Sequence, residues 1–420
     1  MGFGINIEDG SEVLPSMVVD QNSSSMELWD WQRRAIEYFL RYNKAIIEAA
    51  TGTGKSYCAV QIIKEVFKQK PDAQVLIVVP KNVILEKTWY KELYDGGFSL
   101  VDIGVYYGAI KEYGKITITN MQNIHNIALE IFDMVIFDEI HNFGTTKLLE
   151  YLDYPFKYKL GLSATVTRSD GNHWKIMDIF DHNVFKYSPK DALNDGILNP
   201  FNFINIGVEM DDENFEVYTK LTKELNLMYQ MGGGYIKIMK KNTPLKLRML
   251  KKLFERKKLV SNYERKFDVV REIINKHRND KVIVFNNYNQ QTNKCYWHLL
   301  EIGIKARIIH SGIDKDKRDK TLTDFKLDKF QVLLTSRVLD EGFNLPKIDT
   351  AIIMAGDSTE RQTIQRMGRV LRKKDKISNL YQLYCKDTIE EQQSATRSKI
   401  FKELCSMYEQ YIYDGENEIL

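Results

Sequence analysis

Short apolar runs alternate along the chain with stretches whose apolar residues recur every three or four positions. KAIIEAA, QVLIVVP, KITITN, MVIFDEI and KYKLGLSAT are such runs in the first half, and KVIVFNN, KARIIHS, FQVLLTS, TAIIMAG and NLYQLYC in the second. Their brevity, and their wealth of Val, Ile and Leu, predict buried strands. Between them, WQRRAIEYFLRY, KSYCAVQIIKEVFKQ and LEKTWYKELYD have helical spacing. Apolar strands separated by helices predict an α/β fold whose parallel sheets are covered on both faces.

The alternation breaks over residues 201–265. FEVYTKLTKELNLMYQ predicts a helix, the glycines 232–234 a stop, and a basic helical stretch follows. From Ile236 to Lys281 there are sixteen Lys/Arg against five Asp/Glu. The expected organisation is a polar tail (1–25), a first α/β lobe (26–200), a helical basic connector (201–265) and a second lobe with C-terminal helices (266–420). A chain of 420 residues exceeds what one core organises, so two lobes are also the natural reading of its length.

Composition narrows the class only slightly. With 43% hydrophobic and 28% charged residues the chain is globular rather than disordered. A net charge of +3 means that any surface for nucleic acid has to be local. Cys58, Cys295, Cys385 and Cys405 are scattered, which excludes a disulfide framework or zinc cluster and fits a reducing compartment. No run reaches the ~18 apolar residues of a membrane span, and none reads as a secretory leader. The expectation is a cytoplasmic protein of a microbial cell or virus-infected host.

Candidate chemistry begins at EAATGTGKS. This segment follows a strand pattern and opens a helical one, the setting a phosphate-binding loop needs. Ala49 stands where the strict pattern has glycine. Gly52 and Gly54 still let backbone N–H groups converge on phosphate oxygens at a helix N-terminus, with Thr51 and Thr53 in the same nucleotide-binding loop. Lys55 is placed for the β- and γ-phosphates and Ser56 for Mg²⁺. In MVIFDEIH an apolar strand delivers Asp138 and Glu139 to its C-terminal end, where open α/β sheets bind ligands. Asp138 is expected to hold Mg²⁺ through water, and Glu139 to polarise the attacking water. In QRMGRVLR, Arg366, Arg369 and Arg372 fall near one helical face, either as a solvated basic surface or as arginines for a γ-phosphate.

The motifs, in this order, resemble those of superfamily 2 helicases and translocases, most closely the branch of the XPB repair helicase, phage UvsW and type I restriction motors. LWDWQ, ATGTGKS, VVPKNVILEKTW, TITNMQ, DEIH, SAT followed by Arg168, VIVFNNY, HSGIDKDKR, LLTSRVLDEGFNLP and QRMGRVLR carry the resemblance over about residues 27–390. It implies two RecA-like lobes with ATP between them. It assigns adenine reading to Gln32, nucleotide contact to Glu341, and coupling of ATP state to strand grip to His141, Ser163 and Thr165. Arg366, Arg369 and Arg372 become arginine fingers. Nucleic-acid contacts fall on Pro80, Lys81, Thr119, Asn120, Asn286, Thr335 and Ser336. Two departures stand out: Ile140 in DEIH, where Ala or Cys is usual, and Asn344, where the family often has a ribose-binding Asp.

What the resemblance implies is an ATP- and Mg²⁺-dependent enzyme that unwinds or remodels duplex or branched DNA. Two other readings stay open, a double-strand translocase serving a restriction-type complex and an RNA helicase, because such motifs read backbone rather than bases. A nucleotide-gated clamp would not need Glu139. The basic connector is the expected extra contact to duplex or junction, and no membrane partner is expected.

Overall fold

The computed structural model describes residues 27–80, 88–168, 170–240, 243–336, 345–354, 371, 374 and 376–416. The chain forms two compact units, one of residues up to Ala49 with Gly54–Tyr187 and the other of Ser188 onward, to which Ala50–Thr53 are also assigned. Each is a parallel sheet with helices, as the alternation predicts.

In the first unit, α1 (Asp30–Tyr42) leads into β1 (Lys44–Ala49), α2 (Lys55–Gln69) and β2 (Val75–Val79). Then come α3 (Tyr90–Asp95), β3 (Ile103–Tyr107), β4 (Ile110–Lys111), β5 (Ile116–Asn120) and β6 (Met134–Phe137). α4 (Thr146–Asp153), β7 (Tyr158–Ser163), α5 (His173–Ile179) and β8 (Val184–Tyr187) complete it. The sheet order is β4-β3-β5-β2-β6-β7-β1-β8, parallel except for the β3–β4 hairpin. The predicted strands are all present. β3, β4 and β8 escaped the sequence reading because they are short or half-exposed. α2 forms because Cys58, Ala59, Ile62, Ile63 and Val66 recur on one face, and that face is buried. α1 buries Trp31, Ala35, Ile36 and Phe39 likewise, and Trp31 stacks on Tyr187 at 4.8 Å between centroids.

The second unit opens with α6 (Pro189–Asn194), β9 (Phe201–Val208), α7 (Asp212–Gly232), α8 (Tyr235–Lys240), α9 (Pro244–Ser261) and α10 (Arg265–Lys276). β10 (Val282–Phe285), α11 (Asn289–Glu301), β11 (Ala306–Ile309), α12 (Lys315–Lys326) and β12 (Val332–Thr335) follow. β13 (Thr350–Ile353), β14 (Ser378–Cys385), α13 (Ile389–Leu404) and β15 (Met407–Tyr413) close the chain. The sheet order is β11-β12-β10-β13-β14-β9-β15.

One expectation needs correcting here. Residues 201–208 were expected at the head of the helical connector, yet they form β9, a strand buried between β14 and β15. PFNFINIGV alternates in polarity less cleanly than a core strand usually does. Its polar Asn205 is buried because the amide of Gln382 on β14 donates to it at 3.0 Å. The helical part of the connector is α7–α9, which share a small core of Leu225, Ile238 and Met249. The helical spacing of α9 thus buries one face, but Leu247 (65% exposed) and Phe254 (57% exposed) lie on the other, beside Arg248, Lys251 and Lys258. No described helix is long and apolar enough to cross a membrane.

Candidate nucleotide site

β6, β7 and β1 are parallel neighbours, so the segments leaving their C-terminal ends converge on one edge of the first sheet. The loop after β1 is EAATGTGKS, the segment after β6 is DEIH, and β7 ends at Ser163 between them. Gly52 and Gly54 both adopt φ +88°, which only glycine takes without strain. At Gly54 there is also no room: a Cβ would lie 2.8 Å from Gln32 Nε2. Thr53 closes the turn by donating to Ala50 O at 2.7 Å, and Lys55 Nζ donates to Ala49 O at 2.8 Å. Among the described residues the buried Thr51 hydroxyl has no partner. A buried hydroxyl without a partner carries an unmet cost, which a polar ligand in the loop would relieve.

Gln32 reaches this loop from α1. Its amide oxygen accepts from Trp29 N–H at 3.0 Å, and its Nε2 donates to Gly54 O at 3.2 Å. The residue expected to read adenine is therefore fastened to the phosphate loop, with both ends of its amide engaged inside the fold.

Asp138 is the electrostatic centre of the site. Burial pushes its carboxyl pKa up, while the Trp89 indole, the Lys55 ammonium and the Glu139 N–H pull the other way. The Lys55 influence places the two motifs within mutual range, as the sequence anticipated. Trp89 Nε1 donates to Asp138 Oδ2 at 2.9 Å, and Glu139 N–H donates to Oδ1 at 2.9 Å. Glu139 sits in the left-handed region at φ +48°, a conformation costing a non-glycine residue about 1–3 kcal/mol and typical of functional turns.

Behind the acids lie His141, Ser163 and Thr165, the residues expected to couple ATP state to strand grip. Ser163 Oγ donates to Thr165 O at 2.6 Å and accepts from Thr165 N–H at 3.2 Å. Its single proton being committed, the 3.0 Å contact with His141 Nδ1 has the imidazole N–H donating. His141 Nδ1 also lies 3.4 Å from Glu139 Oε2. His141, Ser163 and Glu139 are thus one connected group. Arg168 adds a second tie by donating to His141 O and holding Asp170 in a two-point grip at 2.9 and 2.6 Å. That grip holds the Asp170 carboxyl far below the usual carboxylate range.

Ile140, the departure in DEIH, is fully buried, and Gly161 on β7 makes the room. A Cβ at Gly161 would lie 2.5 Å from Ile140 Cδ1. Gly161→Ala is expected to destabilise the chain by about 1–3 kcal/mol. In urea denaturation, combining it with Ile140→Ala should cost at least about 0.5 kcal/mol less than the sum of the single changes. Strict additivity would refute this pairing.

The nucleic-acid candidates are more enclosed than the residues of the phosphate loop. Thr119, Asn120, Thr335 and Ser336 are buried with their side chains engaged internally. Thr119 Oγ1 donates to Tyr106 O, Asn120 Oδ1 accepts from Asn123, Thr335 Oγ1 donates to Ser336 O, and Ser336 Oγ donates to Asn289 Oδ1. Their side chains brace the ends of β5 and β12. Asn286 is also fully buried, but its amide has no partner at either atom. Pro80 is half-buried at the end of β2. Lys81, Glu341, Asn344, Arg366, Arg369 and Arg372 lie outside the described residues.

Residues 25–168 match the family described as type III restriction enzyme, res subunit, and residues 265–374 match the helicase conserved C-terminal domain. In both halves the chain is similar to superfamily 2 helicases and translocases. It is an ATP-hydrolysing, nucleic-acid-dependent enzyme. Among the relatives of this helicase-family chain is the DNA 3'-5' translocase XPB2 of Sulfurisphaera tokodaii, 28% identical over 407 residues that cover 93% of this chain and 89% of the relative. The DNA 3'-5' helicase XPB of Mycobacterium tuberculosis is 23% identical over 401 residues, 92% of this chain but 65% of that relative. The Pyrococcus furiosus Hef helicase domain shares the fold, with a TM-score of 0.61 at 18% identity, covering 86% of this chain and 96% of that one.

The family uses ATP, typically with Mg²⁺. The donor set suits that ion. Among the described residues no three His, Cys, Asp or Glu gather as a metal cage. One carboxylate, Asp138, and one hydroxyl, Ser56 in the first turn of α2, are what Mg²⁺ needs when phosphate and water supply the other oxygens. When bound, the ion would neutralise phosphate charge. Lys55 would add a cation at the same phosphates, and Glu139 would orient a water for attack.

Proposed function

We propose that this superfamily 2 enzyme couples ATP hydrolysis to movement along DNA and so unwinds or remodels duplex or branched DNA, in repair, recombination or replication. The observation that carries the reading is the convergence of Lys55, Asp138 and Glu139 on one sheet edge. It is joined by the near end-to-end similarity to a protein named as a DNA translocase. Lys55 binds phosphate, Ser56 and Asp138 hold Mg²⁺, and Glu139 activates water. Arg366, Arg369 and Arg372 supply the arginines of phosphoryl transfer. The names of the relatives support a 3′ to 5′ direction.

Strand contact would be mostly to phosphate and sugar. Pro80, Lys81, Thr119, Asn120, Asn286, Thr335 and Ser336 are the contacts proposed for it. The basic face of α9, with Arg248, Lys251 and Lys258, would add phosphate contacts. For about six such contacts, affinity should fall on the order of 10³-fold between about 50 mM and about 200 mM salt. A second reading, the motor of a restriction-type complex on double-stranded DNA, is favoured by the family match of residues 25–168.

The deciding experiment is the steady-state ATPase rate with no nucleic acid, single-stranded DNA, duplex, a four-way junction and RNA. Strongest stimulation by branched DNA is expected. Stimulation by plain duplex without strand separation would favour the restriction-type motor, and stimulation by RNA alone would overturn the DNA assignment.

A further inference from the structure

We infer that Trp89 is a positioning residue for Asp138, setting the carboxylate that receives the divalent cation of a bound nucleotide. The inference rests on the reading of Asp138 given above.

Trp89 lies at the N-terminal end of α3, 49 residues before Asp138, and its side chain is fully buried. A buried indole needs a partner for its one N–H, and a backbone carbonyl would usually serve. Here the N–H goes to a carboxylate oxygen at 2.9 Å, a charge-assisted bond stronger than a neutral one. The other carboxylate oxygen takes the Glu139 N–H at 2.9 Å. With one donor on each oxygen the carboxylate plane is fixed. The lone pairs that remain are those available to a cation or its water. This is how outer partners orient metal-holding carboxylates in general.

The mounting is rigid. Gly96, just past α3, touches α2 so closely that a Cβ would lie 2.4 Å from Val60 Cγ1. Leu93 of α3 is fully buried as well. Trp89 therefore stands on a helix packed against the helix that carries Lys55 and Ser56. The indole thus ties Asp138 to a helix that packs on the one carrying Ser56.

Calorimetric titration of the full chain with ADP, with and without Mg²⁺, tests this. Two changes remove the N–H. Trp89→Phe keeps an aromatic ring, and benzothienylalanine in place of Trp89 keeps the indole's shape, so loss of fold cannot imitate the result. Both are expected to lower the Mg²⁺-dependent gain in affinity about tenfold and to leave Mg²⁺-free affinity unchanged. Asp138→Ala should abolish the gain. If the benzothienylalanine protein keeps the full gain while Asp138→Ala loses it, the positioning role is wrong and the reading of Asp138 survives. If Asp138→Ala itself keeps the gain, that reading fails and this inference with it.

Discussion

Replacing Glu139 by Gln is expected to lower the rate of ATP hydrolysis by about 10²- to 10⁴-fold while leaving nucleotide affinity nearly unchanged. The substitution keeps size and hydrogen-bonding reach and removes the negative charge that draws a proton from water. The surroundings suit that role. Glu139 sits in a left-handed turn that its neighbours hold in place. Its N–H is tied to Asp138, and its carboxylate lies 3.4 Å from the His141 ring. Because Lys55 and Asp138 stay intact, binding should survive. Single-turnover hydrolysis measured beside nucleotide titration separates the two effects. A variant retaining more than about a tenth of the wild-type rate would remove Glu139 from the chemistry. Equal losses of rate and affinity would instead point to a disturbed loop.

The second large effect lies away from the site. Lys266 of α10 is wholly buried, and its ammonium meets Glu390 Oε2 at 2.6 Å, Val260 O at 3.0 Å and Met354 O at 3.2 Å. Glu390 Oε2 also accepts the Cys385 N–H at 3.0 Å. The network joins α10, the end of α9, the residue after β13, and the β14–α13 junction. Lys266→Met leaves Glu390 buried without its cation, takes the ammonium from Met354 O, and leaves Val260 O with the Cys385 thiol at 3.4 Å. Breaking a buried pair from one side costs about 3–5 kcal/mol, or a melting temperature lowered by about 10 °C in a unit of this size. Removing both partners as Lys266→Met with Glu390→Leu should cost far less, since two apolar groups replace two desolvated charges. Differential scanning calorimetry of the three variants checks this. A double variant as unstable as Lys266→Met alone would show that the carbonyl contacts, and not the ion pair, hold the junction.

Much of the fold is legible in the residues because its signals are local. Strand runs such as VLIVV and VIVF are buried on both faces, so each position is apolar, and the helices between them show their buried face at three- and four-residue spacing. β9 was missed because polar residues interrupt it, and they are admitted only by partners such as Gln382, 177 residues away in sequence. The phosphate loop was legible for a related reason. Gly52, Gly54, Lys55 and Ser56 act through backbone conformation and a helix start, which depend on neighbours in sequence. Asp138 and Glu139 were legible because an apolar strand can end only at a sheet edge.

Contacts between distant residues were beyond that reach. The sequence shows Trp89 as one aromatic in a helical pattern, and nothing in the spacing says that its N–H meets Asp138. It marks Ile140 as unusual without naming Gly161 as the residue that accommodates it. Its resemblance to the family offers Thr119, Asn120, Thr335 and Ser336 for a nucleic-acid strand. The packed sheet turns those hydroxyl and amide groups inward to complete its own hydrogen bonds. By itself the sequence determined the two-lobe α/β plan and the residues of the phosphate loop and its acids, since periodicity and backbone freedom over a few residues set both. Only the tertiary structure decided which side chains steady those acids and which are closed off from solvent. Burial and hydrogen-bond partnership depend on what the fold brings together from far along the chain.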